Sequence, residues 1–227
     1  MSIFALSDLH LSFSTDKSME IFYGWENYTE RIRAAWNRLV TDEDTVVLAG
    51  DLSWGTHLEE TEADFRFIDE LNGHKILLKG NHDYWWSTVK KMNAFFAEKN
   101  FDTLQLLHNN CIEVGEYCIC GTRGWLYDGK GEDNELVLAR ECGRLRTSLQ
   151  AGVESGKKIL TFLHYPPVYG EEVCEPILQV LKEFNIQEVF YGHIHGSGKH
   201  HVKNEFDGIK FRLISCDSVD FTPVFIV

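Results

Sequence analysis

Five apolar runs in this chain each lead into a side chain able to hold a metal ion. Ser2-Ile3-Phe4-Ala5-Leu6-Ser7 leads to Asp8, with His10 two residues on. Thr45-Val46-Val47-Leu48-Ala49-Gly50 leads to Asp51, and Lys75-Ile76-Leu77-Leu78-Lys79-Gly80 leads to Asn81. Lys157-Lys158-Ile159-Leu160-Thr161-Phe162-Leu163 leads to His164, and Gln187-Glu188-Val189-Phe190-Tyr191-Gly192 leads to His193, with His195 following. Short, nearly continuous apolar runs between helical stretches are those of strands covered on both faces, as in a largely parallel sheet. Ligands of such sheets bind beyond the carboxyl ends of the strands. The pattern therefore predicts seven oxygen and nitrogen donors gathered at one edge of one sheet.

Those donors select the chemistry. Asp8 and His10 are two residues apart, as are His193 and His195, and in an extended segment such pairs point the same way. Carboxylate, imidazole and amide oxygen together suit divalent ions such as Mn²⁺, Fe²⁺ or Zn²⁺. The set contains no Cys, which disfavours a structural zinc site. Seven donors are too many for one tetrahedral ion and too rich in nitrogen for calcium. Two ions ~3.5–4 Å apart, bridged by a carboxylate and a water, suit the inventory.

The whole chain sets bounds on this site. Its 227 residues, 44% of them hydrophobic, predict a single domain over residues 1–227. The formal net charge of −13 argues against general binding of nucleic acid or an anionic membrane. Two divalent cations would nevertheless make the pocket locally positive. No run approaches the ~20 apolar residues that cross a bilayer, and the first run is too short for a signal peptide. The six cysteines contain no Cys-x-x-Cys pair and are expected to be reduced and buried, in a cytoplasmic protein.

Helical patterns fall near Asn27–Val40, His57–Leu71, Tyr84–Lys99, Glu132–Gln150 and Val173–Phe184, with Thr56-x-x-Glu59 at capping-box spacing before the second. Further strand runs appear at Thr103–Leu107, Cys111–Val114, Tyr117–Gly121, Ile209–Ser215 and Val224–Val227. Strand and helix alternate in the first half, whereas hairpins enter later. An α/β architecture of two stacked mixed sheets flanked by helices follows.

Asp8-Leu9-His10, Gly50-Asp51, Gly80-Asn81-His82-Asp83, His164 and Gly192-His193-Ile194-His195, in that order, resemble the five motifs of the calcineurin-like metallophosphoesterase superfamily, and in character the bacterial phosphodiesterase-like members. The resemblance implies a four-layer α/β/β/α sandwich. It implies that Asp8, His10, Asp51 and His195 hold one metal ion, and that Asp51 bridges to a second held by Asn81, His164 and His193. A metal-bridging hydroxide would attack phosphorus in line, with His82 as the catalytic histidine near the scissile phosphate. The substrate implied is a small-molecule phosphoester.

The chain departs from the family's protein phosphatases, whose second motif reads Gly-Asp-x-x-Asp-Arg-Gly. Here it is Gly50-Asp51-Leu52-Ser53-Trp54-Gly55, without the Asp that orients the catalytic histidine or the phosphate-binding Arg. A phosphoprotein substrate is thus disfavoured, and a small or nucleotide-like phosphodiester is favoured over a phosphomonoester. A non-catalytic scaffold of the same fold typically loses ligands, and none is lost here. Trp54, Tyr84, Trp85, Trp86 and Tyr165 lie near the predicted donors and admit two readings, a stacking rim for a flat group or packing beneath the site. Arg123 likewise admits a phosphate clamp or a loop-stabilising role. Composition and motifs leave the oligomeric state open.

Overall fold

The computed structural model describes residues 1–125 and 132–227. The first half runs β1 (Ile3–Leu6), α1 (Tyr28–Leu39), β2 (Thr45–Leu48), α2 (Glu62–Asp69), β3 (His74–Leu77), α3 (Val89–Lys99) and β4 (Leu104–Leu106). The second runs β5 (Ile112–Val114), β6 (Tyr117–Thr122), α4 (Glu132–Ser155), β7 (Lys158–Leu163), β8 (Val168–Tyr169), β9 (Glu172–Val173), α5 (Glu175–Glu183), β10 (Glu188–Tyr191), β11 (Glu205–Phe206), β12 (Ile209–Leu213) and β13 (Val224–Phe225).

One sheet has the order β13-β1-β2-β3-β4, the other β11-β12-β10-β7-β6-β5, and β8 and β9 form a small ribbon. In each large sheet four adjacent strands are parallel, β1 to β4 in the first and β12-β10-β7-β6 in the second; β13 adds antiparallel at one end of the first sheet, and β11 and β5 at the two ends of the second.

The side-chain period of two assigns the layers. Ile3, Ala5, Val47 and Ile76 of the first sheet pack with Ile119, Phe162 and Phe190 of the second, forming a core between the sheets. Their neighbours Phe4, Leu6, Val46, Leu48 and Leu77 turn the other way, towards Ile32 and Trp36 of α1, Phe65 of α2 and Phe96 of α3. Leu163, Val189 and Tyr191 likewise face Leu145 and Leu149 of α4 and Leu178 of α5. Strands buried on both faces explain why the runs are continuous rather than alternating. The four-layer α/β/β/α expectation holds.

Several local expectations shift. The apolar runs predict donors at the edge of one sheet, yet β1, β2 and β3 belong to the first sheet and β7 and β10 to the second. A run of apolar residues specifies a buried strand and not its neighbours. The capping box falls one residue later than Thr56 and Glu59, at His57 and Glu60, with Glu60 accepting from the backbone N–H of His57 (3.2 Å) and of Thr56 (2.7 Å). It opens a 3-10 turn, Leu58–Thr61, that leads into α2. The third helix starts at Val89 rather than Tyr84, because Thr88 caps it by accepting from Lys91 N. All six thiols are unpaired, five of them buried and Cys111 half-buried. No helix among the described residues is long and apolar enough to cross a membrane.

Candidate metal centre

The strand ends deliver the donors through unusual backbone. Asp8 (φ 61°), His10 (φ 46°), Asp51 (φ 53°) and His193 (φ 72°) all occupy the left-handed region. Such residues cost of order 1–3 kcal/mol each and persist only where the surroundings over-determine them. Asp and His are among the side chains least penalised there. Asp8 N donates to Gly50 O (2.9 Å), His10 N to Asp51 O (3.0 Å) and His193 N to the Asp8 carboxylate (3.0 Å).

The preceding glycines have two different reasons. Gly50 has φ 98°, and a Cβ there would stand 2.7 Å from Gly80 Cα and 2.8 Å from His164 Nδ1. Gly80 and Gly192 do not lie in the left-handed region and are needed for room alone. A Cβ on Gly80 would run into Asp51 Oδ1, and one on Gly192 into Ser7 Oγ and Asp8 Oδ2.

All seven predicted donors meet between the sheets' carboxyl ends, in two groups. Asp8, His10 and His195 form one, and Asp51, His164 and His193 the other, the donor atoms of each lying within 4.8 Å of one another. His195 Nε2 is 3.2 Å from Asp8 Oδ1 and 3.4 Å from His10 Nε2. Asn81 Oδ1 is 2.7 Å from His164 Nε2 and 2.9 Å from His193 Nδ1. Asp51 Oδ2 stands between the groups, 3.4 Å from His164 Nε2 and 3.9 Å from His10 Nε2. Donors sharing an ion through bonds of ~2.0–2.2 Å lie about 3–4 Å apart, so these separations match two adjoining coordination spheres. With two carboxylates, one amide oxygen and four imidazoles, the donor set fits divalent ions of the Mn²⁺, Fe²⁺ and Zn²⁺ type.

Two of the imidazoles have their outer nitrogens fixed. His164 Nδ1 is 3.0 Å from Ala49 O, and a carbonyl can only accept, so Nδ1 carries the proton and Nε2 is free to ligate. Asp217 Oδ1, 2.8 Å from His195 Nδ1, does the same for His195. Asp217 is held in turn by Gly196 N (2.9 Å) and the Lys199 ammonium (3.2 Å). It belongs to no motif, and the sequence reading does not find it.

Charge in the site is internally matched. Burial alone would raise Asp8, but the charges of His195, His164 and His10 hold its carboxyl far below the usual range. Asp51 is likewise held low against burial, chiefly by His164. Burial opposes the protonation of His164 and His195, yet the neighbouring carboxylates raise them to about 9 and about 10. Burial pushes His10 and His193 down to about 4. A divalent ion held here would have to displace protons from His164 and His195, whereas burial already favours the neutral, ligating form of His10 and His193.

His82 lies at the rim of the donor cluster. Its backbone N–H donates to Asp51 Oδ1 (2.8 Å), its ring packs on Trp54 at 4.6 Å between centroids, and its buried Nδ1 has no partner. Asp83 does not orient it. The Asp83 carboxylate instead accepts from Gly80 N (2.7 Å), Asp51 N (2.9 Å), Leu52 N (2.8 Å) and Trp85 Nε1 (3.1 Å), tying the Asp51 loop to the Asn81 loop. Trp54, standing where the protein phosphatases carry Asp, stacks on the His10 ring at 4.9 Å and 19°.

The aromatic residues divide between their two readings. Trp54 lines a cleft of ≈ 910 Å³ floored by His10, His82 and His195. Tyr84 is exposed beside His82. Trp85 is core, Trp86 packs near His108, and Tyr165 is buried against His193. The cleft wall also carries Trp25 and Phe221, which lie far from any motif and go unmarked in the sequence. Arg123 takes the loop-stabilising role. Its side chain pairs with buried Glu141 (3.5 Å) and lies over Trp125, and its carbonyl accepts from His164 N and Tyr165 N.

Two sheets converging on a nest of histidines and carboxylates define the class of metal-dependent phosphoester hydrolases. A family model for the calcineurin-like phosphoesterases matches residues 1–197, and the chain belongs to that family of phosphoric ester hydrolases. It is similar in fold to the protein of unknown function AQ665 from Aquifex aeolicus, at 17% identity and a TM-score of 0.55, with 99% of this chain and 95% of that one covered. It is also similar to TT1561 of Thermus thermophilus, at 16% identity and a TM-score of 0.55, covering 85% and 81%. No curated protein matches.

Proposed function

We propose that the chain is a dinuclear hydrolase of a small or nucleotide-like phosphodiester. In this reading Asp8, His10, Asp51 and His195 hold one divalent ion, and Asp51, Asn81, His164 and His193 hold the other. The position of Asp51 Oδ2 between the two donor groups is the observation that carries it. Bound ions of this kind supply Lewis acidity to phosphoryl oxygens and lower the pKa of water.

The chain's own residues do the rest. Ala49 O and Asp217 hold His164 and His195 in the ligating tautomer. Trp54 fixes the planes of His10 and His82. His82, which lines the cleft, is the residue placed to donate a proton to the departing oxygen. A diester suits the cleft better than a monoester, which carries one more negative charge. Arg31 and Lys199, the Lys and Arg side chains on its wall, already pair with Asp220 (2.6 Å) and Asp217 (3.2 Å). The unpaired thiols favour a reducing, cytoplasmic setting.

The test is Mn²⁺-dependent hydrolysis of bis-p-nitrophenyl phosphate beside p-nitrophenyl phosphate. The expected result is faster cleavage of the diester. Faster monoester cleavage would replace the diesterase reading with a phosphatase, and cleavage of neither by the metal-loaded protein would reject the hydrolase reading.

A further inference from the structure

The cleft above His10, His82 and His195 is far larger than a phosphoryl group needs, and its wall has a definite character. Met19, Phe22, Tyr23, Trp25, Trp54 and Phe221 form its apolar and aromatic side. Trp25 is only 4% exposed and is held edge-on to Phe221 (5.0 Å) and His195 (5.7 Å), so it backs the cleft beside a predicted metal ligand rather than opening into it. Phe22 and Tyr23, by contrast, are 53% and 100% exposed, although both are apolar or aromatic and line the cleft. Exposed rings at the mouth of a cleft whose floor is reactive are surface held ready for a ligand.

Charge on the wall favours an uncharged arm over a second anionic group, since Asp217 and Asp220 stand beside its two cations. Arg31 lies against the Phe221 ring at 4.1 Å while bonded to Asp220, and Lys199 is held by Asp217 through both its carboxylate and its backbone carbonyl (3.0 Å). Neither is free to take a further phosphate.

We propose that this cleft is a subsite for an uncharged aromatic or heteroaromatic arm of a substrate carrying a single phosphoryl group, gripped by the half-buried Trp54 within and by Phe22 and Tyr23 at the mouth. The inference rests on the hydrolase reading above and narrows its substrate class. It separates a diester with one aromatic body from polyphosphates, whose extra charges would meet paired cations and apolar rings.

The experiment uses the metal-loaded full chain and reads both tryptophan fluorescence quenching and inhibition of p-nitrophenyl ester cleavage. The probes are methylphosphonate, phenylphosphonate, 1-naphthylphosphonate and a sulfonated naphthylphosphonate. Affinity is expected to rise roughly tenfold from methyl to naphthyl, by stacking and apolar burial. The sulfonate is expected to abolish that gain. Phe22→Ala and Tyr23→Ala alter exposed side chains outside the core, and each is expected to cut the gain while leaving methylphosphonate binding unchanged. Equal affinity for methyl and naphthyl probes, an undiminished gain with the sulfonate, or a gain unaffected by both variants would overturn the subsite. Absence of ester cleavage alongside a normal naphthyl gain would instead reject the hydrolase reading and leave the aromatic subsite standing.

Discussion

The two donor groups are built to different plans. Both groups combine two buried ligands with one half-buried, but the Asp51, His164 and His193 group is the deep one in that it lines no part of the cleft, and its His164 is anchored to the backbone carbonyl of Ala49. Around it the loops are fastened by buried carboxylates. Asp83 ties Asp51 and Leu52 to Gly80, and Asp64 holds Ser53 Oγ and Phe13 N. The Asp8, His10 and His195 group borders the cleft. The His195 side chain is 27% exposed and is anchored by the side-chain carboxylate of Asp217, which also pairs with Lys199. A ligand fixed by the backbone cannot relax without moving the sheet, whereas one fixed by a side chain can. The deep group is thus the permanent half of the site and the open group the adjustable half.

Asp51→Asn attacks what the halves share and carries the largest expected effect. On the proposed dinuclear reading it removes the bridging charge while keeping the shape, so several kcal/mol of Lewis-acid stabilisation is at stake, on the order of 10³-fold in kcat. Metal content measured after gel filtration is expected to fall most for the deep ion. Full metal-dependent turnover in this variant would reject the dinuclear assignment, and equal loss of both ions would erase the distinction between the halves.

Asp64 tests the cost of the deep half's construction. Burial pushes its carboxyl up from 3.8 to about 6, against bonds from Ser53 and Phe13 that favour ionisation. A carboxyl raised in the folded state binds its proton more tightly there than when unfolded. Its contribution therefore declines as pH rises from about 4 to about 6 and is constant above that. The shift corresponds to about 3 kcal/mol. Asp64→Asn should accordingly gain about that much relative to the parent between pH 4 and pH 7, measured by urea unfolding of both chains with metal chelated. A difference that stays flat over this interval would show that Asp64 does not ionise there.

The same division governs what could be read from the sequence. The donors were legible because each stands directly after a run that can only be a buried strand, and Asp8, His10, His193 and His195 carry their spacing with them. Their supports were not. Asp217 lies 22 residues beyond His195, in a short turn after β12, and acquires meaning only when that turn folds back. Trp25 and Phe221 come from opposite ends of the chain and meet at 5.0 Å. Asp83 sits inside a motif, yet its bonds run to backbone groups that composition does not mark. The single-sheet expectation failed for a related reason, since strand pairing is decided by crossover connections and not by the runs themselves.

Asp217→Asn carries the smallest of these effects and separates the halves most cleanly. The amide keeps the size of the carboxylate but loses its charge, so the hold on the His195 tautomer weakens and the imidazole becomes a poorer ligand. Removing such a support costs roughly 10–100-fold in metal affinity as a rule. The loss should fall on the open group alone, because His164 takes its orientation from Ala49 and does not depend on Asp217. Mn²⁺ titration followed by calorimetry should then show one weakened site and one unchanged. Asp217→Glu, which restores the charge on a longer arm, should recover part of the affinity. If both sites weaken together, the ions bind as one cooperative unit through Asp51, and the contrast between a permanent and an adjustable half gives way to a single coupled centre.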